Sequence, residues 1–395
     1  MPWETKGPMD QKIKLIADWK SGCFAVSDLR KKYSVSRKTV YKWVGRYENE
    51  GIDGLKERSR TPRHHPNQTD ARRIKMLLRE KRAYPKWGPK KIAAVLERRY
   101  PNESWPAVST IGEWFKKHGL VRCRKLRKRV PPYTEPFAEC NHPNDVWSAD
   151  YKGQFKTQDG KNCYPLTITD NKSRYLLACE GLRGPRYEES REVFIRVFRE
   201  YGLPLALRVD NGTPFTGLGI GGLSRLQVWW IKLGIRPERI DKGKPSQNGR
   251  HERMHRTLKD DTVKPPGKDL IDQQKKFDWF NMEYNHIRPH ESLGQRPPAK
   301  LYTRSSRPYT ENPPSPEYDL SLQVRSIHSG GEIKFGGELY FVSELLVRER
   351  VGLQEIADGM WCIYFSFQPL GILNLRRRKV EPLVNNKQVL PMSPV

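Results

Sequence analysis

Three acidic side chains in the middle of the chain are candidates for catalysis. Asp150 lies within a predicted strand, Asp210 ends another predicted strand, and Glu252 lies in a predicted helix. Carboxylate oxygens are ligands that Mg²⁺ and Mn²⁺ prefer, and two such ions can serve an in-line displacement at a phosphodiester. We therefore predict metal-assisted phosphoryl transfer, with Asp150, Asp210 and Glu252 as catalytic residues and as ligands of two Mg²⁺ or Mn²⁺ ions.

Either of the flanking motifs taken alone indicates only a turn. Asp210-Asn211-Gly212 and Gln247-Asn248-Gly249 are both common turn-forming sequences. The ordered set of three acids is more specific than either motif.

The elements around the three acids follow the order βββαβαβα. The predicted strands cover residues 146–155, 164–169, 174–179, 205–209 and 234–240, and the predicted helices cover 188–201, 223–233 and 246–259. This order favours a mixed five-stranded sheet covered by helices, with acids at strand ends facing the ligand crevice. On the last helix Met254 and Leu258 form the packing face, so Glu252 points away from it.

A second motif overlaps the third acid. His251-Glu252-Arg253-Met254-His255 fits H-E-x-x-H, which on a helix can bind zinc with the glutamate as general base. A zinc hydrolase therefore remains an alternative, although zinc proteases bury that helix and here arginines surround the motif. Under the phosphoryl-transfer interpretation the two histidines are surface or groove residues, and neighbouring basic residues contact phosphates. Those predicted contacts are Lys244, Asn248, Arg250, Arg253, Arg256 and Lys259.

The charge of the chain points to a polyanionic partner. Its 395 residues carry 73 Lys and Arg against 45 Asp and Glu, a formal net charge of +28. Such a surplus favours double-stranded DNA as the partner. No apolar run approaches the length that spans a bilayer, and the start of the sequence lacks a signal peptide, so we expect a cytoplasmic protein without a membrane partner. The six scattered cysteines form no C-x-x-C pair and are expected to be reduced thiols.

Two helical segments near the start resemble helix-turn-helix units. In residues 1–55, Ser36 can cap a helix that presents basic side chains; in residues 69–122, three further helices are predicted, with a linker at 56–68. A small helical bundle for protein contacts is the alternative for the first unit. The predicted DNA contacts here are Arg37, Lys38, Thr39, Tyr41, Lys42, Lys90 and Lys91.

A basic run follows the second helical unit. Residues 116–130 contain eight Lys or Arg and no acid. The run lies partly in a predicted linker at 123–140, which is either a solvated connection or an arm that follows DNA phosphates. Its predicted DNA contacts are Arg124, Lys125, Arg127, Lys128 and Arg129.

The chain ends in a β-rich segment. A catalytic core at 141–303 is followed by a Pro-rich linker at 304–320, a small β-barrel-like domain at 321–382 and a tail at 383–395. Alternating apolar and polar residues with Gly-Gly and Asp-Gly turns favour the barrel.

These motifs together resemble the integrase-core DDE transposases of bacterial insertion sequences, relatives of retroviral integrases. The matching residues are Pro2-Trp3-Glu4, Ser36-Arg37-Lys38-Thr39, Trp87-Gly88-Pro89-Lys90-Lys91, the three acids with their Asn-Gly neighbours, and Tyr284-Asn285-x-x-Arg288-Pro289-His290-x-x-Leu293-x-x-x-Pro297. The resemblance implies an RNase H-like core that cuts element ends and joins them to target DNA, with Asp150, Asp210 and Glu252 as the metal-binding triad. It also implies a homo-oligomer on DNA, associated with the bacterial nucleoid. A catalytically silent DNA-binding regulator with a degenerate core is the other alternative.

The sequence departs from the superfamily pattern in two places. Asp210 and Glu252 are 42 positions apart, which is more than is usual, and the extra residues fall in the Gly-rich segment Thr216 to Ser224. We expect that segment to lengthen a mobile loop beside the acids. The His/Cys zinc module of retroviral integrases is absent, and helix-turn-helix units stand in its place.

Overall fold

The computed structural model describes residues 7–59, 68–121, 140–217, 219–240 and 249–383, without the side chain of Arg250. The chain divides into two compact units, residues 1–70 and 71–395. No helix in the described ranges is long and apolar enough to cross a membrane. The five described cysteines are free thiols, in agreement with the sequence prediction.

The first unit is a three-helix bundle. Its helices are α1 (Pro8–Lys20), α2 (Val26–Lys32) and α3 (Arg37–Glu50), followed by a 3-10 turn at Gly51–Leu55. Ser36 caps α3 as predicted, because its Oγ accepts a hydrogen bond from the Thr39 N–H at 3.1 Å. Leu29, Val40 and Trp43 form part of the apolar centre, which holds α2 and α3 in the arrangement expected of a helix-turn-helix.

The second unit begins with another three helices. They are α4 (Ala71–Ala83), α5 (Pro89–Arg99) and α6 (Val108–Lys117). Their shared core includes Leu77, Trp87, Ile92 and Phe115. These bounds agree to within about a residue with the helices that the sequence predicts at 71–82, 89–100 and 108–118. Pro89 starts α5 at a position where its missing N–H costs nothing.

A mixed sheet with helices on both faces follows. Its elements are β1 (Val146–Tyr151), β2 (Phe155–Lys156), β3 (Asn162–Asp170), β4 (Leu176–Leu182), α7 (Tyr187–Tyr201), β5 (Ala206–Val209), α8 (Arg225–Lys232), β6 (Arg236–Arg239), α9 (Gly249–Thr262) and α10 (Leu270–Met282). The strand order is β4-β3-β1-β5-β6, with the two-residue β2 added to β3. The sheet thus has six strands where the sequence predicted five, because β2 is too short to show an alternating pattern.

The direction of the strands places the acids. β1 is antiparallel to β3 and parallel to β5, which is itself parallel to β6. Helices α7 and α8 cover one face, where Trp147 is buried, and α9 and α10 cover the other, where Met254 and Leu258 are buried. This is a mixed sheet covered by helices, as the order of elements predicted.

The last segment is β-rich but open. Its strands are β7 (Gln323–Ser326), β8 (Glu332–Phe335), β9 (Glu338–Phe341), β10 (Arg350–Ala357), β11 (Met360–Phe365), β12 (Gln368–Asn374) and β13 (Lys379–Pro382). Five of them form an antiparallel sheet in the order β13-β12-β11-β10-β7, and β8 and β9 form a separate hairpin. The predicted barrel is therefore not confirmed, since the described strands form open sheets whose edge strands β7 and β13 do not pair with each other.

The Gly-rich segment between the second and third acids packs against this open sheet. Ile220 and Leu223 contact the apolar cluster of the C-terminal strands, and Leu223 is 2% exposed. Gly221 has φ +63° and lies against the backbone of Leu370, where a side chain would be strained. The extra residues thus pack against the C-terminal sheet. From the sequence we expected them to lengthen a mobile loop.

Candidate active site

Asp150 and Asp210 lie next to each other at the same edge of the sheet. Asp150 is in β1, and Asp210 directly follows β5. The parallel register pairs Ala149 with Val209, so the two acids occupy the next matched positions on neighbouring strands. Strand pairing alone therefore places two carboxylates side by side.

The turn after β5 orients the second acid. The Gly212 N–H donates a hydrogen bond to Oδ1 of Asp210 at 3.0 Å. Nδ2 of Asn211 donates to the carbonyl oxygen of Ile240 at 2.8 Å, which ties the turn to the end of β6. The Asp-Asn-Gly motif thus forms the turn that its composition predicts and also orients the carboxylate of Asp210.

Glu252 is exposed in the first turn of α9. Met254 and Leu258 are buried on the packing face of that helix, as predicted. Burial, the negative charge of Asp210 and, more weakly, that of Glu252 together raise the pKa of Asp150 to about 7. The three carboxylates therefore lie close enough for their charges to interact.

The donor set fits a hard divalent cation. Asp150, Asp210 and Glu252 offer only carboxylate oxygens. Burial and the negative charges of its neighbours disfavour the ionised form of Asp150, and a bound cation would offset both effects. Mg²⁺ and Mn²⁺ have the matching ligand preference. Metal ligation by these three residues stays a prediction.

Two histidines of α9 lie buried against the sheet. His251 and His255 are 2% and 5% exposed, so the expectation that they are surface or groove residues is wrong. Burial lowers the pKa of His251 to about 3 and lowers that of His255 far below its usual range. Both rings are therefore neutral at ordinary pH.

The histidines contact hydroxyl groups of β3. Oγ1 of Thr167 lies 2.6 Å from Nε2 of His251 and 2.7 Å from Nε2 of His255. Oγ1 of Thr169 lies 3.2 Å from Nδ1 of His251. Nδ1 of His255 faces Oδ2 of Asp150 at 3.7 Å. Sequence reasoning did not assign Thr167 or Thr169 any role.

The contacts of the two histidines bear on the H-E-x-x-H motif at residues 251–255. Asp150, His251 and His255 offer ligand atoms that all lie within 4.8 Å of one another. A hydrolytic zinc centre also needs an open position for water beside its glutamate. Here Thr167 contacts Nε2 of both rings, and Glu252 is on the exposed side of α9. The arrangement favours hydrogen bonding for the two histidines.

The predicted DNA contacts of α3 lie on its outer face. Arg37, Lys38, Tyr41 and Lys42 are exposed, and the Tyr41 side chain is 62% exposed. Thr39 is half-buried, and its hydroxyl lies 2.8 Å from Oγ of Ser36 in the helix cap. The first four can reach a nucleic acid, whereas Thr39 is engaged in the cap.

The remaining predicted DNA contacts fall in three groups. Arg253, Arg256 and Lys259 are exposed on α9. Lys90 lies 3.1 Å from Glu291, and burial together with the charge of Arg288 lowers the pKa of Lys91 to about 8. The other predicted contacts lie outside the described residues or side chains: Arg124, Lys125, Arg127, Lys128, Arg129, Lys244, Asn248 and Arg250.

The sequence predicted no individual roles for the members of the motif at residues 284–297. Nδ2 of Asn285 donates to the carbonyl oxygen of Leu176, and its Oδ1 accepts from the Leu176 N–H. Arg288 is 9% exposed and forms ion pairs with Asp261 at 3.2 Å and Glu283 at 3.5 Å. The motif therefore fastens the end of α10 to β4 and α9. The position of this asparagine and this arginine just after a helix was the sequence signal for this role.

Comparison with protein families identifies the domains. Models described as integrase core domain match residues 141–245 and 233–298. Models described as helix-turn-helix domain and homeodomain-like domain match residues 11–63 and 39–115. The chain therefore contains an integrase core and helix-turn-helix domains, as the sequence motifs predicted.

The curated relatives come from insertion elements and a retrovirus. A 31.7 kDa protein of insertion element IS407 from Burkholderia multivorans is 25% identical over 242 residues, covering 60% of this chain and 82% of the relative. A 39.2 kDa protein of IS476 from Xanthomonas euvesicatoria is 26% identical over 247 residues, covering 60% and 67%. The Gag-Pol polyprotein of baboon endogenous virus is 27% identical over 191 residues, covering 48% of this chain and 10% of that polyprotein.

Solved structures similar to the chain include retroviral integrases. The catalytic core domain of HTLV-2 integrase in complex with magnesium is 15% identical with a TM-score of 0.34, covering 42% of this chain and all of that one. The simian T-cell lymphotropic virus intasome in complex with a PP2A regulatory subunit is 15% identical with a TM-score of 0.36, covering 75% and 98%.

Proposed function

We propose that this chain, which is of the bacterial insertion-sequence transposase type within the integrase superfamily, binds the terminal inverted repeats of its element, cleaves the element ends and joins the 3′-OH to target DNA. The observation that supports this most directly is the pairing of β1 with β5. It sets Asp150 beside Asp210 within reach of the charge of Glu252.

Asp150, Asp210 and Glu252 would hold two Mg²⁺ or Mn²⁺ ions. When bound, the ions supply charge stabilisation for the attacking and leaving oxygens of an in-line phosphoryl transfer. Strand register and the turn after β5 position the carboxylates of Asp150 and Asp210. Exposed Arg253, Arg256 and Lys259 on the same helix as Glu252 would contact the DNA phosphates.

The helix-turn-helix domains would supply the specificity for the element ends. The exposed face of α3 presents Arg37, Lys38, Tyr41 and Lys42 in the first two turns of the helix. Side chains at that end of a recognition helix reach base edges in the major groove. Because two element ends must be brought together, we infer a homo-oligomer on DNA, associated with the nucleoid.

The two alternatives have less support. A silent DNA-binding regulator requires no functional acids, yet all three acids and the turn that orients Asp210 are present. A zinc hydrolase requires accessible ring nitrogens, yet both Nε2 atoms contact Thr167.

Strand cleavage and joining on a labelled duplex tests the proposed function. The duplex carries the DNA that flanks this gene, and reactions contain Mg²⁺ or Mn²⁺. We expect nicked and joined products from the wild type and none from Asp150→Asn, Asp210→Asn or Glu252→Gln, with duplex binding retained in all three. Glu188→Gln is the matched control, because Glu188 is also an exposed glutamate in the first turn of a helix.

Two results would contradict the proposed function. Products that persist in Asp210→Asn would remove that acid from the chemistry. Binding of the element ends by the wild type without cleavage in either metal would favour the regulator.

A further inference from the structure

A buried group of polar side chains lies between Asp150 and the body of α9. Thr167 and Thr169 alternate along β3 on the face that α9 covers, and β3 pairs Thr167 directly with Asp150. Thr167 is fully buried, and Thr169, His251 and His255 are each less than 9% exposed. Buried polar groups need partners, so their protons must be arranged to satisfy one another.

The Thr167 hydroxyl constrains that arrangement because it carries only one proton. Its Oγ1 lies within hydrogen-bond distance of Nε2 of His251, Nε2 of His255 and the carbonyl oxygen of Asp150, the last at 3.1 Å. It can donate to one of these three atoms, and it can accept only from a ring nitrogen that carries a proton. For two neutral rings, three arrangements are therefore possible.

Only one of these arrangements suits an ionised Asp150. If Thr167 donates to His251 or to the carbonyl oxygen, His255 carries its proton on Nε2, and the lone pair of Nδ1 faces the Asp150 carboxylate. If Thr167 donates to Nε2 of His255, the proton of that ring is on Nδ1 and points towards Oδ2 of Asp150, 3.7 Å away. A carboxylate favours the N–H dipole over the lone pair.

The rest of the group is then also satisfied. His251 donates from Nε2 to Thr167, and its Nδ1 accepts from the hydroxyl of Thr169 at 3.2 Å. Every donor points the same way along the series from Thr169 to Asp150. Burial lowers the pKa of both histidines, which agrees with one proton on each ring.

We propose that Thr169, His251, Thr167 and His255 form a proton-ordered hydrogen-bond chain that holds the Nδ1–H of His255 towards the carboxylate of Asp150 and so orients that carboxylate for metal binding. This role rests on the proposed function, since it assumes that Asp150 is a metal ligand. The four residues are positioning residues, because they act through Asp150.

Two pairs of variants separate this role from simple packing. The amide nitrogen of His255→Asn stands near the place of Nδ1 and can still donate to Asp150, whereas that of His255→Gln stands near Nε2 and cannot. Thr167→Ser keeps the hydroxyl, whereas Thr167→Val keeps the shape of the side chain and loses the hydroxyl. In each pair one variant keeps a donor group at the substituted position, and the other removes it.

The measurement is the affinity of the full chain for Mn²⁺ by titration calorimetry. We expect His255→Gln and Thr167→Val to bind Mn²⁺ about ten- to a hundredfold more weakly, the range found when partners of metal ligands are removed. His255→Asn and Thr167→Ser should stay within a few-fold of the wild type. Thermal unfolding of each variant confirms that the fold is retained.

Three results would overturn the positioning role. One is equal Mn²⁺ affinity in all four variants. Another is Mn²⁺ binding by His255→Asn and Thr167→Ser that is as weak as binding by His255→Gln and Thr167→Val. A third is tightly held zinc in the purified protein that His251→Ala loses, since the ring nitrogens would then be ligands. The proposed function fails separately, if Asp150→Asn leaves Mn²⁺ affinity unchanged or if a metal-binding wild type cleaves no DNA.

Discussion

Asp150 and Asp210 sit at matched positions on two parallel strands, one residue beyond the paired Ala149 and Val209. Side chains at matched positions of neighbouring strands point to the same side of a sheet. The two carboxylates are therefore held together by the backbone, whatever charge they carry. The consequence is the raised pKa of Asp150, which combines burial with the repulsion from Asp210 and Glu252.

The first prediction concerns pH and stability without metal. The pKa of Asp150 is about 7 in the folded chain and close to its ordinary value in the unfolded chain. Between those values the folded state keeps a proton that the unfolded state has lost. The contribution of Asp150 to the free energy of unfolding therefore falls as pH rises from about 4 to 7, by up to about 1.4 kcal/mol per pH unit. Above pH 7 this loss is complete.

Equilibrium unfolding in a chelating buffer at pH 5 and pH 8 checks this. We expect Asp150→Asn to lose less stability than the wild type between the two pH values, and Asp210→Asn to fall between them, because Asp210 causes only part of the pKa rise. Adding Mg²⁺ at pH 8 should stabilise the wild type and leave Asp150→Asn nearly unchanged. The same pH dependence in all three proteins would show that Asp150 is not the titrating group.

Much of the core follows from the sequence. The alternation of apolar residues predicted the strands and their order along the chain. The position of Asp150 within one predicted strand and of Asp210 at the end of another indicated where the two acids lie. The packing face of α9 was predicted from the spacing of Met254 and Leu258. These features depend on local periodicity, which a sequence carries directly.

Other features depend on contacts between distant segments. His251 and His255 lie on the same helical face as Met254 and Leu258, so their spacing was a signal of burial, but the surrounding arginines suggested an exposed helix. Their partner Thr167 is set by the register of β3 against β1, which no local pattern reveals. Whether the C-terminal strands close into a barrel likewise depends on pairing between the edge strands, which the alternation of apolar and polar residues does not determine.

A second prediction concerns DNA binding by α3. Lys38 is exposed near the start of α3. If it contacts a phosphate, Lys38→Gln weakens binding to all duplexes alike and reduces the slope of log affinity against log salt by about 1. Fluorescence anisotropy at several salt concentrations measures both quantities. Lys14→Gln is the control, since Lys14 is an exposed lysine on α1 and should leave the slope unchanged. Equal slopes in both variants would exclude Lys38 as a phosphate contact.

A third prediction concerns the asparagine that fastens α10 to the sheet. Asn285 is 2% exposed and completes both hydrogen bonds of the Leu176 backbone. Asn285→Ala leaves a buried N–H and a buried carbonyl group unpaired, so we expect a loss of roughly 2–4 kcal/mol in the free energy of unfolding. Asn102→Ala, at an exposed turn, should change stability little. Urea unfolding compares them, and similar small losses would mean that water replaces the amide.

The last prediction concerns the buried arginine that links the ends of α9 and α10. The Arg288 guanidinium lies between Asp261 and Glu283, and the Glu283 side chain is 3% exposed. Arg288→Gln leaves these carboxylates buried without that partner, so we expect a destabilisation of about 3 kcal/mol at pH 8. Burial already raises the pKa of Glu283 while Arg288 lowers it, so the variant raises it further. Proton uptake by Glu283 then relieves part of the cost, and the destabilisation should be smaller at pH 5 than at pH 8. Arg296→Gln is the matched control, because Arg296 is exposed in the same segment. A destabilisation that is independent of pH would instead attribute the role of Arg288 to packing of its side chain.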